Sequence, residues 1–313
     1  MEHILESTQF ASIGRLANDF KSIVESLAVP GLTCTVYESE DELAKNINQH
    51  NALAAFTVSD HVDISGIKWI HSFGAGVDGF VQRKDLNPNV LLTRTAGNMG
   101  KRMAEYCLAY ILNDLKAINQ SLKNQQKNSW EPLQIGDLYE QKVLVFGTGT
   151  IGGAIADSLA PMVKQLVCVN RSGTSIKHQT VALSALSNLE AYDIIINALP
   201  LTSETTAIFN RLFFSKCTGA LFINVGRGES VVDLDLLSAL NKSQLRGAVL
   251  DVFHEEPLPS SHAFWSTPNL LVTPHHASKT NKKDLQESFS QVLKSIRNGD
   301  RSSPLFVDIK RGY

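Results

Sequence analysis

Three apolar runs in the second half of the sequence each end on a residue able to do chemistry: Arg227 after ALFINVG, Glu256 after GAVLDVFHE and His275 after NLLVTP. A guanidinium stays charged and grips a carboxylate bidentately. An imidazole gives and takes a proton near neutrality, and a carboxylate behind it fixes its tautomer and favours its charged form. These are the groups that reduction of a small 2-keto acid needs: a hold on the carboxylate, a polarised carbonyl and a proton delivered as hydride arrives. Residue type leaves two neighbours open, His276 beside His275 and Glu255 beside Glu256.

A source of hydride is suggested upstream, where Gly147-Thr148-Gly149-Thr150-Ile151-Gly152 follows directly on the apolar run KVLVF. In such a turn the first glycine allows the reversal, the second lets backbone approach a pyrophosphate, and the third lets helix pack on strand. The helix N-terminus then presents unpaired N–H groups to the phosphates. The next apolar strand, QLVCV, ends in Asn170-Arg171-Ser172, where an acid would accept from the adenosine ribose and repel a 2′-phosphate. No acid is there. Arg171 offers a planar cationic fork and Ser172 a hydroxyl, so NADP is expected as the preferred cofactor over NAD, with Lys177 read as a solvated loop charge.

The elements that must position these groups are legible as apolar runs. In the first ~95 residues they are CTVYES, ALAAFTV, KWIHSF and VLLTRT, alternating with helical patterns. A long helical pattern starts at Asn98 and places Met99, Met103, Tyr106, Cys107, Tyr110, Ile111, Leu115 and Ile118 on one face, with Asp114 the exception; it continues, polar, to about Lys127. Six further runs, KVLVFG, QLVCVN, DIIINALP, ALFINVG, GAVLDVF and NLLVTPH, alternate with helices near 151 to 160 and 232 to 241 in the doubly wound dinucleotide-binding pattern. A last helix near 282 to 298 and the tail PLFVDIKRGY are too short for another domain and are expected to pack back on the first module. The expected fold is α/β with two doubly wound domains. A Rossmann domain over 96–280 is inserted into a smaller flavodoxin-like substrate domain made of 1–95 and 281–313.

Composition narrows the partners. The chain has 313 residues, 43% of them hydrophobic, and 29 basic against 31 acidic residues give a net charge of -2 with no basic block. Nothing there draws nucleic acid or an anionic membrane. The start, MEHILESTQF, is acidic where a leader would be basic, and no apolar run approaches the ~18 residues of a membrane span, so a cytoplasmic protein is expected. The cysteines, Cys34, Cys107, Cys168 and Cys217, are far apart, and no histidine clusters with Cys or Asp, so no disulfide or metal is expected.

FGAGVD at 73 to 78, GTGTIG, LPLT at 199 to 202, NVGRG, LDVFHEEPL and TPHHAS resemble, in order, the motifs of the D-isomer-specific 2-hydroxyacid dehydrogenases. The resemblance runs from about Phe73 to Ser278. It implies that Arg227 binds the substrate carboxylate, that Glu256 pairs with the histidine and that His275 is the acid/base, which selects both over their neighbours. It further implies Leu199, Pro200, Val225 and Gly226 along the cofactor, Asp251 near the nicotinamide carboxamide, and the backbone of Ala75-Gly76-Val77 on the carboxylate beside Arg227. The stretch from Asn98 to Tyr106 is similar to the MG-x-x-M-x-EY of the bacterial glyoxylate/hydroxypyruvate reductase A group. That similarity implies Met99 at the substrate, glyoxylate and hydroxypyruvate as substrates, NADPH, and a homodimer through the nucleotide domain with the helix from Asn98 at the contact. Two other activities fit the same motifs: a D-lactate or longer-chain 2-hydroxyacid dehydrogenase, and a non-enzymatic nicotinamide-sensing interaction module.

Overall fold

The structure, a computed structural model, describes Leu5 and residues 7–312. The chain divides into two compact units, one drawn from Met1–Met99 and Lys279–Tyr313, the other from Gly100–Ser278. The second is therefore inserted in the sequence of the first. The crossings fall at Met99, inside the first turn of a helix, and at Lys279.

In chain order the first segment gives β1 (Thr8–Ile13), α1 (Ala17–Leu27), β2 (Leu32–Tyr37), α2 (Glu40–Asn46), β3 (Ala52–Ala55), β4 (Trp69–Ser72), α3 (Asp78–Val81) and β5 (Leu91–Arg94). Then follow α4 (Met99–Leu115), α5 (Ile118–Gln126), β6 (Lys142–Phe146), α6 (Thr150–Leu159), β7 (Gln165–Asn170), β8 (Thr180–Ala182) and β9 (Ile194–Asn197). The series ends with α7 (Arg211–Phe214), β10 (Ala220–Asn224), α8 (Asp233–Asn241), β11 (Leu245–Leu250), β12 (Leu270–Val272) and α9 (Lys282–Arg297).

The first unit is a parallel five-stranded sheet in the order β2-β1-β3-β4-β5, the flavodoxin-like order. Sequence reading passed over β1, TQFASI, because buried Thr8 and Ser12 break its apolar run; Ser12 Oγ is satisfied by the Ala54 carbonyl at 3.1 Å. The helix α9 enters this unit through a capping box, with Asn281 and Asp284 each accepting from the other's backbone N–H. Its apolar face, Leu285, Phe289, Val292 and Ile296, joins Phe10, Phe20 and Trp69 in one core. The tail then lies along β5: Arg94 N donates to Leu305 O at 2.9 Å and Val307 N to Leu92 O at 3.0 Å. That antiparallel pairing covers an edge otherwise open to another strand.

The second unit is a parallel sheet in the order β12-β11-β10-β9-β6-β7-β8, the six-stranded Rossmann order from β8 to β11 with one further strand, β12, beside β11. The edge strand β8 was not foreseen, since its three half-buried residues carry no apolar run. Along β10, Ala220 and Phe222 enter one core while Leu221 and Ile223 enter the core on the opposite face. Burial on both faces is why these strands read as unbroken apolar runs.

The helical pattern from Asn98 is two helices, not the continuous one expected. Ala117 takes a left-handed φ of 50° between α4 and α5. Residues further on hold the break: Gly136 N donates to Leu115 O at 2.8 Å, and Lys116 Nζ reaches Gly136 O at 2.7 Å and Asp137 Oδ1 at 2.9 Å. The exceptional Asp114 accepts from Arg246 Nε at 2.9 Å, and Arg246 Nη1 also donates to the Asp193 and Gly219 carbonyls. What looked like a flaw in the apolar face is an ion pair that ties α4 to the sheet.

Candidate active site

The glycine turn lies at the C-terminal end of β6, where the strand order reverses between β9 and β7. Ligands of open α/β sheets bind at such switch points. Each glycine has its own reason. Gly147 has φ of +105° and a Cβ there would meet Ala198 O at 2.9 Å; a Cβ on Gly152 would meet Gly147 O at 2.2 Å. Around Gly149 nothing lies within 4 Å of a built Cβ, and this N-cap residue makes no side-chain capping bond to α6. An open approach over an uncapped helix N-terminus, with Thr148, Thr150 and Ile151 alongside, fits a pyrophosphate.

At the end of β7 the expected ribose readers divide. Asn170 is committed to the protein: its Nδ2 donates to Thr148 Oγ1 and Thr174 O, both at 2.8 Å, and its Oδ1 accepts from Gly173 N at 2.7 Å. It therefore ties this turn to the glycine turn. Ser172 Oγ lies 3.0 Å from Thr174 Oγ1. Arg171 is exposed, its Nη1 3.7 Å from Glu204 Oε2. Lys177 pairs with Asp157 at 2.9 Å, and Asp157 also meets His178 Nε2 at 2.7 Å.

Arg227 follows β10 in a turn organised by three buried polar side chains that sequence reading missed. Asn197 Nδ2 donates to Asn224 Oδ1 at 2.9 Å and to Ser230 Oγ at 2.8 Å. Asn224 Nδ2 and Ser230 Oγ in turn donate to the Arg227 carbonyl, at 3.0 and 2.6 Å. The same amides hold the neighbouring cofactor candidates, since Asn224 Oδ1 accepts from Gly226 N and Asn197 Oδ1 from Leu199 N. The Pro200 carbonyl accepts from Thr205 Oγ1 at 2.7 Å, and Val225 is buried. A signal existed: two asparagines ending consecutive apolar strands are costly to bury unless they bond each other.

His275 and Glu256 meet directly, Nδ1 to Oε2 at 2.7 Å, while Glu256 Oε1 accepts from Phe253 N at 2.9 Å. Burial opposes the charge on Glu256, yet the bonds from His275 and Phe253 N and the charge of Arg227 hold it below the usual carboxylate range. The hydrogen bond to Glu256 raises the His275 pKa against burial, and Arg227 works against that rise. The three residues thus form one electrostatic group. Both neighbours are turned elsewhere or are merely exposed: His276 packs edge-on to Tyr106, with ring centroids 6.3 Å apart, and Glu255 lies at the surface.

Backbone geometry sets this pair. His275 has φ of +47°, a left-handed conformation that costs a non-glycine residue about 1 kcal/mol. Asp251 holds it there, its carbonyl accepting from His275 N at 3.0 Å and its carboxylate from His276 N and Ala277 N, both at 2.9 Å. The loop bearing Glu256 also touches the turn bearing Arg227. A Cβ on Gly228 would lie 2.0 Å from the Phe253 carbonyl carbon, and His254 Nε2 bonds the Val231 carbonyl at 2.8 Å.

In the first unit, Ala75-Gly76-Val77 forms the turn between β4 and α3. Ser72 Oγ donates to Gly76 O at 3.2 Å and Arg94 Nη1 to Ala75 O at 3.2 Å. Arg94, which sequence reading did not single out, also bonds the Pro304 carbonyl, and so ties the turn to the tail. Met99 opens α4 and is buried. Among the described residues no helix is long and apolar enough to cross a membrane, and no group of His, Cys, Asp and Glu is arranged to hold a metal ion.

A Rossmann-ordered sheet, a glycine turn at its switch point and an arginine, glutamate and histidine at its strand ends define a nucleotide-dependent oxidoreductase. Residues 108–277 match the family model of the D-isomer specific 2-hydroxyacid dehydrogenase, NAD binding domain. A glyoxylate/hydroxypyruvate reductase A of Photorhabdus laumondii is 33% identical over 260 residues, covering 80% of this chain and 82% of the relative. Among solved structures, a D-isomer specific 2-hydroxyacid dehydrogenase of Xanthobacter autotrophicus in complex with NADPH and MES superposes with a TM-score of 0.85 at 28% identity, over 98% of this chain and 100% of that one. An NADPH-dependent glyoxylate/hydroxypyruvate reductase of Sinorhizobium meliloti, in complex with NADP and sulfate, gives 0.82 at 27% identity over 98% and 100%. The chain belongs to the D-isomer specific 2-hydroxyacid dehydrogenase family and is an oxidoreductase.

Proposed function

We propose that this enzyme reduces small 2-keto acids, glyoxylate and hydroxypyruvate first among them, with NADPH preferred to NADH. The observation that carries the reading is the 2.7 Å His275–Glu256 bond in the field of Arg227. When bound, the reduced nicotinamide supplies hydride. Arg227 grips the substrate carboxylate; the backbone of Ala75, Gly76 and Val77 and the side chain of Met99 are further candidate substrate contacts, on the family resemblance alone. His275, its proton affinity raised by Glu256, delivers a proton to the carbonyl oxygen. Asp251, placed beside the nicotinamide carboxamide by the resemblance, is buried with both carboxylate oxygens engaged by Thr273 and the 276 and 277 amides, and acts by holding the His275 turn. The substrate class is supported by the Photorhabdus and Sinorhizobium reductases, and NADPH by the absence of an acid at the end of β7 and by the cofactors of the two solved relatives.

The second copy of a homodimer covers the exposed apolar groups Ile118 and Leu122 on α5 with Trp130 and Ile135 beyond it.

Following cofactor oxidation at 340 nm with glyoxylate, hydroxypyruvate, pyruvate and longer keto acids tests the substrate reading. Preference for pyruvate or a longer chain would replace it with a D-lactate type of activity. Arg171→Ala is expected to weaken NADPH about tenfold while leaving NADH nearly unchanged. Equal effects on both cofactors would remove Arg171 from the 2′-phosphate.

A further inference from the structure

The carboxylate of Asp251 is 1% exposed. Its Oδ1 accepts from Thr273 Oγ1 at 2.6 Å and from His276 N, and its Oδ2 from Ala277 N, so three donors flanking His275 converge on one side chain. Thr273 Oγ1 in turn lies 2.7 Å from Tyr106 OH, on the buried face of α4. A carboxylate only accepts, so the single Thr273 proton points to Asp251 and its lone pair receives the Tyr106 proton. Burial pushes the Tyr106 phenol above its ordinary range, which keeps that proton in place. The polarity of the chain is fixed: Tyr106 donates to Thr273, and Thr273 donates to Asp251.

We propose that Tyr106 is a positioning residue for proton transfer, acting through Thr273 to aim the Asp251 carboxylate at the 276 and 277 amides and so to hold His275 against Glu256. The proposal rests on the reading of His275 as the acid/base. The phenol is not needed only to fill space, since its ring already packs on Tyr110 with centroids 4.6 Å apart. Its hydroxyl adds the hydrogen bond that leads through Thr273 to Asp251.

The sign of the pH effect follows from the charges facing His275. Glu256, in the loop after β11, and Asp251, at the end of β11, favour the imidazolium; Arg227, in the turn after β10, opposes it. Reduction uses the protonated ring, so activity falls as pH rises through the His275 pKa. Loosening Asp251 lets a favourable charge shift away from the ring and moves that fall to lower pH.

The test is kcat and KM against pH for the wild type, Tyr106→Phe, Thr273→Val and the double variant, with His275→Asn as reference. Thr273→Val is expected to lower kcat about tenfold and Tyr106→Phe about threefold. Both move the alkaline limb down by on the order of half a unit, with KM for NADPH unchanged. The double variant loses no more than Thr273→Val, because the relay is already cut, and Thr273→Ser, which keeps the hydroxyl, recovers most of the loss. A Tyr106→Phe enzyme with wild-type kcat and an unmoved limb overturns the proposal, as do losses that add in the double variant. Tyr106→Phe keeps the ring and carries the test even if Thr273→Val does not fold. Full turnover in His275→Asn overturns the underlying reading and the relay with it; lost turnover there beside an unaffected Tyr106→Phe overturns the relay alone.

Discussion

Two imidazoles, one in each unit, sit in opposite settings. His71 on β4 is wholly buried, stacked on Phe20 at 5.8 Å and edge-on to Phe289 at 5.0 Å. Its ring nitrogens meet only hydroxyls, Thr93 Oγ1 at 2.9 Å and Thr95 Oγ1 at 3.2 Å, and burial pushes its pKa down to about 3. His275, past the end of β12, meets the Glu256 carboxylate instead, and its pKa is raised. Neutral hydroxyls satisfy a ring without stabilising its charge, whereas a carboxylate does both. The charge of the partner, more than the residue type, separates a histidine held neutral in a core from one whose proton affinity is raised.

The contrast breaks first at His275. His275→Asn is expected to cost reduction about a thousandfold with cofactor affinity and melting temperature nearly unchanged; a kcat close to wild type would leave the two histidines functionally alike. His71→Leu is the reciprocal experiment and is expected to act on stability alone, by about 2 kcal/mol at pH 7, through the lost ring hydrogen bonds and the Thr95 hydroxyl left without its ring partner, Thr93 keeping Trp69 and Ile70. A histidine whose folded pKa is lowered contributes stability that is full above the unfolded value of ~6.5 and is lost as pH falls toward the folded one. Denaturant melts at pH 7 and pH 4.5 should therefore show a smaller acid loss in His71→Leu than in the wild type. An equal loss in both would mean that His71 is not the group being protonated. Smallest of the three is Glu256→Gln, expected to lower kcat about tenfold and to shift the alkaline limb of reduction downward, because the ring keeps a hydrogen-bond partner and loses a charge. A limb that stays where it was would transfer the raised proton affinity of His275 to another group.

The parts of the molecule legible in sequence are those where one residue type has one use. Strands buried on both faces showed as apolar runs, and the glycines at 147 and 152 stood out because no side chain fits there. β1 was hidden by Thr8 and Ser12, whose burial depends on partners far along the chain, and β8 by its half-exposed edge position. The break after α4 was invisible because Ala117 is a good helix former held left-handed by residues about twenty positions downstream. At the site, Arg227, Glu256 and His275 were readable as chemistry, but Asn197, Asn224 and Ser230 were not, since their work is done in pairs. Choosing His275 over His276 by residue type failed for the same reason: the distinction lies in a backbone angle set by Asp251.

Gly228 leaves no room for even a methyl group between its own backbone and that of Phe253. The segments carrying Arg227 and Glu256 are therefore a single casting. Neither can be lengthened, grafted or redesigned alone, and a transplant of this site into another scaffold has to carry residues 224–231 together with 251–257. Broadening the range of acids accepted is better attempted at positions outside that joint block.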